Sequence, residues 1–319
     1  MSLEDAALFF QTSVLMGTPL LLAALGEILT EKAGHLNLGV EGMMLAGAVT
    51  GFIIGYYTEN QALAFAAAGA AGAAGALIFA VLTVTFRANQ IVTGFVLTIF
   101  LSGVANFAGN DLGNSTLGAG FSGAAEWLPG VLSGIPFLGA ALFRQSPYVH
   151  LSLIFALAVR LYLNKTRFGL ALRMVGENPS AADAAGIPVA LYKYVHILTG
   201  GFFCGVGGAC LTLVIVRRWQ ESVTAGMGWI AIALVIFAAW DPLRAVFGAY
   251  LFGALRGVAF KIQNMPISVG GHSISIPAQI LDLLPYIMTV VVLMLITLGK
   301  KKGNRPPQWL GRPYFREER

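Results

Sequence analysis

The chain has 319 residues, 57% of them hydrophobic and 11% charged, with a mean hydropathy of +0.75. An average soluble domain carries about 25% charged residues, and even a large domain buries only about three quarters of the surface its unfolded chain exposes, so the apolar excess has to face lipid. A net charge of +5 would suit nucleic acid in a soluble protein, but here the basic residues sit in loops and at the tail, where they orient a membrane protein.

The start, Met1 to Asp5, carries Glu4 and Asp5 and no basic residue. It lacks the positive start of a cleaved signal peptide, so the first apolar run is expected to be retained. Runs of about 20 apolar residues cross the hydrocarbon core as helices, and such runs fall at 8–29, 43–57, 61–86, 89–109, 148–163, 191–216, 229–243, 245–262 and 277–298. The runs 43–57 and 229–243 are short and glycine-flanked. They read as half-helices or re-entrant segments, which are tolerated where protein or a cavity surrounds them. The expectation is an all-α polytopic membrane protein, a single domain over 1–319 with nine or ten transmembrane or re-entrant helices.

Charge sets the orientation. One side collects Lys32, Arg87, Lys165, Arg167, Arg173, Lys193, Arg244 and the tail residues Lys300, Lys301, Lys302, Arg305, Arg312, Arg316 and Arg319. The other holds Arg144, Arg217, Arg218 and Lys261. The richer side is cytoplasmic by the positive-inside rule, which leaves the N-terminus outside and the C-terminus inside. An external loop then spans 110–147, a cytoplasmic loop 164–190, and the tail 299–319 is expected to lie as a basic strip on the membrane surface. Small residues at helix-packing spacing, Gly51/Gly55, Gly69/Gly72/Ala76, Gly201/Gly205 and Gly253/Gly257, predict closely packed helices.

Several polar stretches interrupt this apolar background. The run Gly26–Gly42 packs Glu27, Glu31 and Glu41 with four glycines between two apolar segments. Asn37 and Glu41 share a face if the stretch is helical, and a carboxylate near membrane depth marks a functional site by default. Pairing of Glu41 with Lys32, or capping of a helix end, is the alternative. The loop Arg173–Pro188 contains Asn178-Pro179, a helix cap followed by proline at the first position. Four alanines then favour helix and Gly186 ends it, giving a short, small-faced helix suited to a groove on a partner. The run Trp219–Trp229 reads either as a re-entrant loop lining a path or as part of an interfacial aromatic belt. Gln90, Asn106, Gln279 and Asp282 lie in or beside apolar spans, where polar side chains bond neighbouring helices or face a path. Arg160 is expected to snorkel, Arg256 to pair with Asp282 or Asp241, and Cys204 and Cys210 to pack as small residues.

The chain contains no G-x-x-x-x-G-K-[ST] phosphate loop, no H-E-x-x-H and no G-x-S-x-G, and its four histidines are scattered. No catalytic, metal or cofactor site is expected, and the chain is read as not being an enzyme.

Together, Gly34–Gly42, Gly176–Ile187, Thr224–Trp229 and Leu284-Pro285-Tyr286 resemble the permease subunits of bacterial ATP-binding-cassette (ABC) importers, in the branch serving sugars, branched-chain amino acids and nucleosides. The Glu-Asn-Pro…Ala-Ala…Gly-Ile pattern is similar to that family's coupling segment, which implies that Gly176, Glu177, Asn178, Pro179, Ala182, Ala185, Gly186 and Ile187 contact the ATPase. Ribose-type permeases carry Asp-Leu-Ser-Val-Gly where this chain has Asn37-Leu38-Gly39-Val40-Glu41-Gly42. The form here resembles the nucleoside-type permeases that work with a lipoprotein of the basic membrane protein class. That resemblance implies a different second permease, an ATPase with two fused nucleotide-binding domains that holds the ATP and Mg, an external substrate-binding lipoprotein, and residence in the bacterial inner membrane. The substrate expected is a purine nucleoside such as guanosine, with Asn37, Glu41, Gln90, Asn106 and Trp229 lining its path. Ribose-like sugars, riboflavin and branched-chain amino acids are alternative substrates. An ion-coupled secondary transporter using Glu27, Glu41 or Asp282 is the alternative mechanism.

Overall fold

The computed structural model describes residues 3–113, 115–118, 144–263, 267–269, 272–274, 280, 283–298 and 306–315. Its helices are α1 (Leu3–Lys32), α2 (Val40–Thr58), α3 (Gln61–Ala80), α4 (Gln90–Gly109), α5 (Pro147–Lys165), α6 (Arg167–Glu177), α7 (Pro179–Ala184), α8 (Val189–Ala209), α9 (Met227–Phe237), α10 (Pro242–Gln263) and α11 (Leu284–Leu298). One antiparallel hairpin, β1 (Ile267–Val269) with β2 (His272–Ile274), follows α10. Both α3 and α8 continue through a wider π-helical turn, Val81–Thr85 and Cys210–Ile215.

Among the described residues, six helices are long and apolar enough to cross a membrane: Asp5–Lys32, Val40–Thr58, Gln61–Thr85, Gln90–Leu112, Pro147–Lys165 and Val189–Ile215. The protein is an all-α polytopic membrane protein. Side-chain caps set where two of these helices and the shorter α6 begin. Asn60 accepts from the Leu63 amide, Asn89 from the Val92 amide and Thr166 from the Gly169 amide, each satisfying a donor that the first turn leaves open.

The two short runs behave differently. Val40 to Gly42 join the first, so α2 reaches 19 residues, a full span. The second is half-length: α9 has 11 residues, or about 16 Å at 1.5 Å per residue. Ala239 and Trp240 then take positive φ values of 50° and 58°, breaking the chain before Asp241-Pro242 starts α10.

Glycines let the central helices touch backbone to backbone. A Cβ on Gly72 or Gly205 would run into the backbone of the facing helix, at Gly201 and Ala68 respectively, and Gly47 meets Gly205 in the same way. Close approach of this kind replaces hydrophobic driving force, which lipid does not supply between helices. The exposed faces remain apolar, with Ile91, Phe95 and Ile99 on α4 and Ile287, Val290 and Met294 on α11 all open.

The loops gather at two ends as the charge pattern expects. At one end Leu117 N donates to Arg217 O at 3.2 Å and Trp219 N to Ser115 O at 3.3 Å, while Gln11 Nε2 donates to Arg144 O at 2.6 Å. At the other, the linker 33–39, the turn 86–89, helices α6 and α7, and the tail 306–315 pack together. Residues 114 and 119–143 of the expected external loop, Gln279, Asp282, and 299–305 and 316–319 of the tail lie outside the described residues.

Two expectations are corrected here. The described part of the tail is held by protein: Trp309 N donates to Gly176 O at 3.0 Å and Gly311 N to Gly34 O at 3.2 Å. Loop carbonyls at the bundle end offer its amides fixed acceptors. Arg160 ion-pairs with Asp241 at 3.1 Å rather than snorkelling alone, and Asp241 also accepts from the Leu243 and Arg244 amides at the start of α10.

Candidate functional site

After α1 the chain folds back alongside it. Asn37 N donates to Glu27 Oε1 at 3.0 Å, ten residues earlier, and Leu36 N donates to Gln90 Oε1 at 2.8 Å. Thr98 Oγ1 donates to Leu38 O at 2.9 Å. Thr98 lies eight residues into α4, roughly 12 Å along its axis, so α2 begins inside the bundle rather than at its surface. The Asn37 side chain turns the corner by accepting from Gly39 N at 2.8 Å, a local bond typical of asparagine turns.

A second break reaches the same place from the opposite end. Between Val216 and α9 the backbone takes positive φ at Arg217, Ser222, Ala225 and Gly226. Glu41, 7% exposed in the first turn of α2, receives what this segment presents. Its Oε1 accepts from Thr224 Oγ1 at 2.5 Å and from Gly226 N at 2.9 Å, and its Oε2 accepts from Gly228 N at 2.6 Å. A helix N-terminus carries open amides and partial positive charge, and Gly226 at the α9 N-cap offers no side chain of its own. Glu41 therefore serves as a cap donated by another helix; of the two alternatives for this residue, capping is the one seen. Gly228 is required by the contact, since a Cβ there would meet Glu41 Cα and N at 2.5 Å.

Around this junction lies an aromatic edge. Trp229, half-buried, has its ring centroid 6.2 Å from that of Phe95, whose side is 51% exposed, and Tyr286 Oη donates to Ala225 O at 3.1 Å. Of the five residues expected to line a path, Asn37, Glu41, Gln90 and Trp229 lie around the paired breaks. Asn37 and Glu41 are spent on structure there. Gln90 is buried, and its Nε2 has no partner among the described residues. Asn106 sits sixteen residues beyond Gln90, roughly 24 Å along α4, and does not join them. Trp219 belongs to neither reading made of it, being 1% exposed with its indole packed at Gly109.

The second part of the site is the end face built by α6, α7 and the tail. Asn178 Oδ1 accepts from Ala181 N at 3.0 Å and Pro179 opens α7. Gly186, at φ 80°, ends the turn by donating to Asp183 O at 3.0 Å, a backbone conformation that costs any other residue. Pro179 and Ala182 are buried, Ala182 against Val175 and Val189, while Glu177, Asn178, Ala181, Ala184, Ala185 and Gly186 are exposed. Ile187 is half-buried and its amide donates to Ala182 O at 3.0 Å. Gly176 allows α6 to press against Lys32 O at the end of α1. The tail ties this face down: Gln308 N donates to Glu177 Oε2 at 3.2 Å, and Tyr314 Oη to Asp183 Oδ2 at 3.1 Å.

The family described as the branched-chain amino acid transport system permease component matches residues 9–293. The chain belongs to this permease family. It is similar to TsgC13 of Haloferax volcanii, provisionally named a glucose ABC transporter permease, at 36% identity covering 90% of this chain and 91% of that protein. It is also similar to the nucleoside ABC transporter permease NupC of Lactococcus lactis, at 34% identity over 90% of this chain and 91% of that one. The guanosine ABC transporter permease NupQ of Bacillus subtilis is 30% identical, with 96% of each chain covered. The permease family accords with a membrane component that carries no catalytic machinery of its own.

Sequence reasoning assigns no role to several residues around the candidate site. Phe95 lies in an unbroken apolar run and carries no signal of its own. Thr224 stands two residues before the N-cap Gly226, a spacing that marks a helix start but not the distant carboxylate that uses it. In the sequence Glu31 reads only as one of three acids; its Oε2 accepts from Trp240 Nε1 at 2.5 Å, a partner 209 residues away.

Proposed function

We propose that this permease is one of two different membrane subunits of an ATP-driven importer that carries nucleosides, guanosine among them, across the bacterial cytoplasmic membrane. Its partners are a second permease, an ATPase with two fused nucleotide-binding domains that holds ATP and Mg, and an external lipoprotein that delivers substrate. The exposed apolar face of α4 next to the paired breaks is the wall it contributes to a path shared with the second permease. ATP binding by the partner moves α7 and, through the Gly176 contact of α6 with the end of α1, shifts the linker that carries Asn37 and leads into Glu41 at the start of α2.

The observation that carries the substrate reading is the Trp229–Phe95 pair at the rim of the polar break. Aromatic faces stack on any nucleobase without demanding a particular hydrogen-bond pattern. The similarity to NupC and NupQ supports the same class. Glucose is the second reading, favoured by the likeness to TsgC13.

The test is uptake of labelled guanosine by cells carrying the transporter, challenged with excess unlabelled uridine or glucose. The account expects competition by uridine, none by glucose, and loss of uptake in Trp229→Ala. Competition by glucose alone would transfer the assignment to sugars and leave the permease family intact.

A further inference from the structure

At the basic end, a cleft of about 500 Å³ opens between the π-helical end of α3, the exit from α7 and the first turn of α8, with Arg87, Asp183, Lys193 and Tyr314 among its walls. Lys193 is 3% exposed. Its ammonium lies 5.7 Å from the Tyr314 ring centroid and makes no hydrogen bond or ion pair among the described residues. The Arg87 guanidinium lies 4.6 Å from the Phe315 ring centroid and likewise has no anionic partner among them. The 21-residue α8 follows its N-cap Pro188 with no side-chain cap, so its first amides lack an intrahelical acceptor, and Val189 and Ala190 line the same cleft. The one carboxylate in the walls, Asp183, accepts the Tyr314 hydroxyl. Among the described residues, two cations and a helix N-terminus therefore face a single, already bonded acid.

A buried, unpaired ammonium is costly, and the cleft supplies the geometry to satisfy it with an anion. The surroundings identify the source. Leu82 and Phe86, 37% and 71% exposed, flank Thr83 and Arg87 on one wall, and Leu191, 58% exposed, follows Ala190 on the other. These apolar side chains sit at the ends of helices long and apolar enough to cross a membrane, the depth at which headgroups meet helix ends. Basic pockets between helix ends at that depth take lipid headgroups. We propose that the cleft binds the phosphate of an anionic phospholipid, held by Lys193, Arg87 and the first amides of α8. Gly186 and Ile187 also line the cleft, so the bound headgroup braces the end of α7. This site is independent of which solute the permease carries.

The test is native mass spectrometry of the assembled transporter released from micelles doped with phosphatidylglycerol or phosphatidylcholine. The wild type is expected to retain one phosphatidylglycerol in preference to phosphatidylcholine. Arg87→Gln and Lys193→Met should each weaken retention roughly fivefold, the value for about one kcal/mol per cation near an anionic headgroup. Lys165→Gln, an exposed cation at the same end, should leave retention unchanged. Arg87 is only half-buried, so its variant reports even if Lys193→Met misfolds. Equal retention of both lipids, or retention indifferent to Arg87→Gln, would overturn the proposal. Millimolar inorganic phosphate serves as a second arm: stabilisation of the wild type by phosphate with no lipid retained assigns the cleft to a soluble anion and overturns the lipid. Retention by the isolated permease but not by the assembled transporter would also overturn it, since the ATPase would then occupy the cleft.

Discussion

Glu41 serves two amides and a hydroxyl delivered from a segment more than 180 residues away, so the energetic cost of losing it falls on its partners. Each buried donor left without an acceptor costs about 1–3 kcal/mol. Glu41→Ala should therefore lower the melting temperature of the purified permease and abolish transport, and Glu41→Gln, which keeps one oxygen acceptor, should lose less. A Glu41→Ala permease that melts like the wild type would mean that the junction is not held by this carboxylate. Gly228→Ala tests the other side of the contact, with overpacking worth about 1–3 kcal/mol and a matching loss of folded protein in the membrane fraction. His35, in the linker between the first two spans, has its pKa held well below the ordinary imidazole value by burial first and the Lys193 charge second. Above about pH 6.5 the imidazole is neutral in both the folded and unfolded chain, and its environment costs nothing. Below that pH the unfolded chain takes up a proton that the folded one refuses, so stability falls. The drop in melting temperature between neutral and mildly acidic pH should shrink in His35→Gln; an identical drop would remove His35 from the account.

At the scale of elements, α7 was legible in the sequence down to its cap. Asn178, Pro179, the alanines and Gly186 act through local backbone chemistry, and all of them appear where local rules put them. The half-length of α9 was legible as well, from flanking glycines and an apolar run too short to cross. The place where α9 starts was not, because Glu41 caps it across the fold and no local rule names a partner that far away. The tail was misjudged for the same reason. Its lysines and arginines argue for a membrane surface, but the backbone bonds from Trp309 and Gly311 to Gly176 and Gly34 depend on carbonyls that only the folded bundle brings together. Two predictions belong here. Gly186→Val puts a branched side chain into a left-handed position, at about 1–2 kcal/mol, and should leave the permease in the membrane while weakening co-purification of its ATPase. Removing residues 306–319 frees Glu177 and Asp183 from the tail and should have the same effect more strongly. Undiminished ATPase capture by both variants would mean that α7 is not the coupling element.

For the molecule as a whole, composition alone was enough to assign the membrane, and the charge asymmetry anticipated which loops share an end. What composition could not supply is the meeting of two broken segments inside the bundle. Asn37 and Glu41 turn one of them inward from the basic end, and Thr224 to Gly228 bring the other from the opposite end. Non-helical backbone at membrane depth persists only where protein or a cavity satisfies it, and in secondary transporters such breaks gather the polar groups of the binding site. The aromatic pair and the exposed α4 face stand beside that junction. The most direct measurement is ATP-dependent accumulation of labelled guanosine in proteoliposomes holding the complete transporter, run beside a partner ATPase unable to hydrolyse ATP. The account predicts accumulation that requires hydrolysis and disappears with Glu41→Ala. Accumulation that persists with the inactive ATPase and follows an imposed proton or sodium gradient would contradict it.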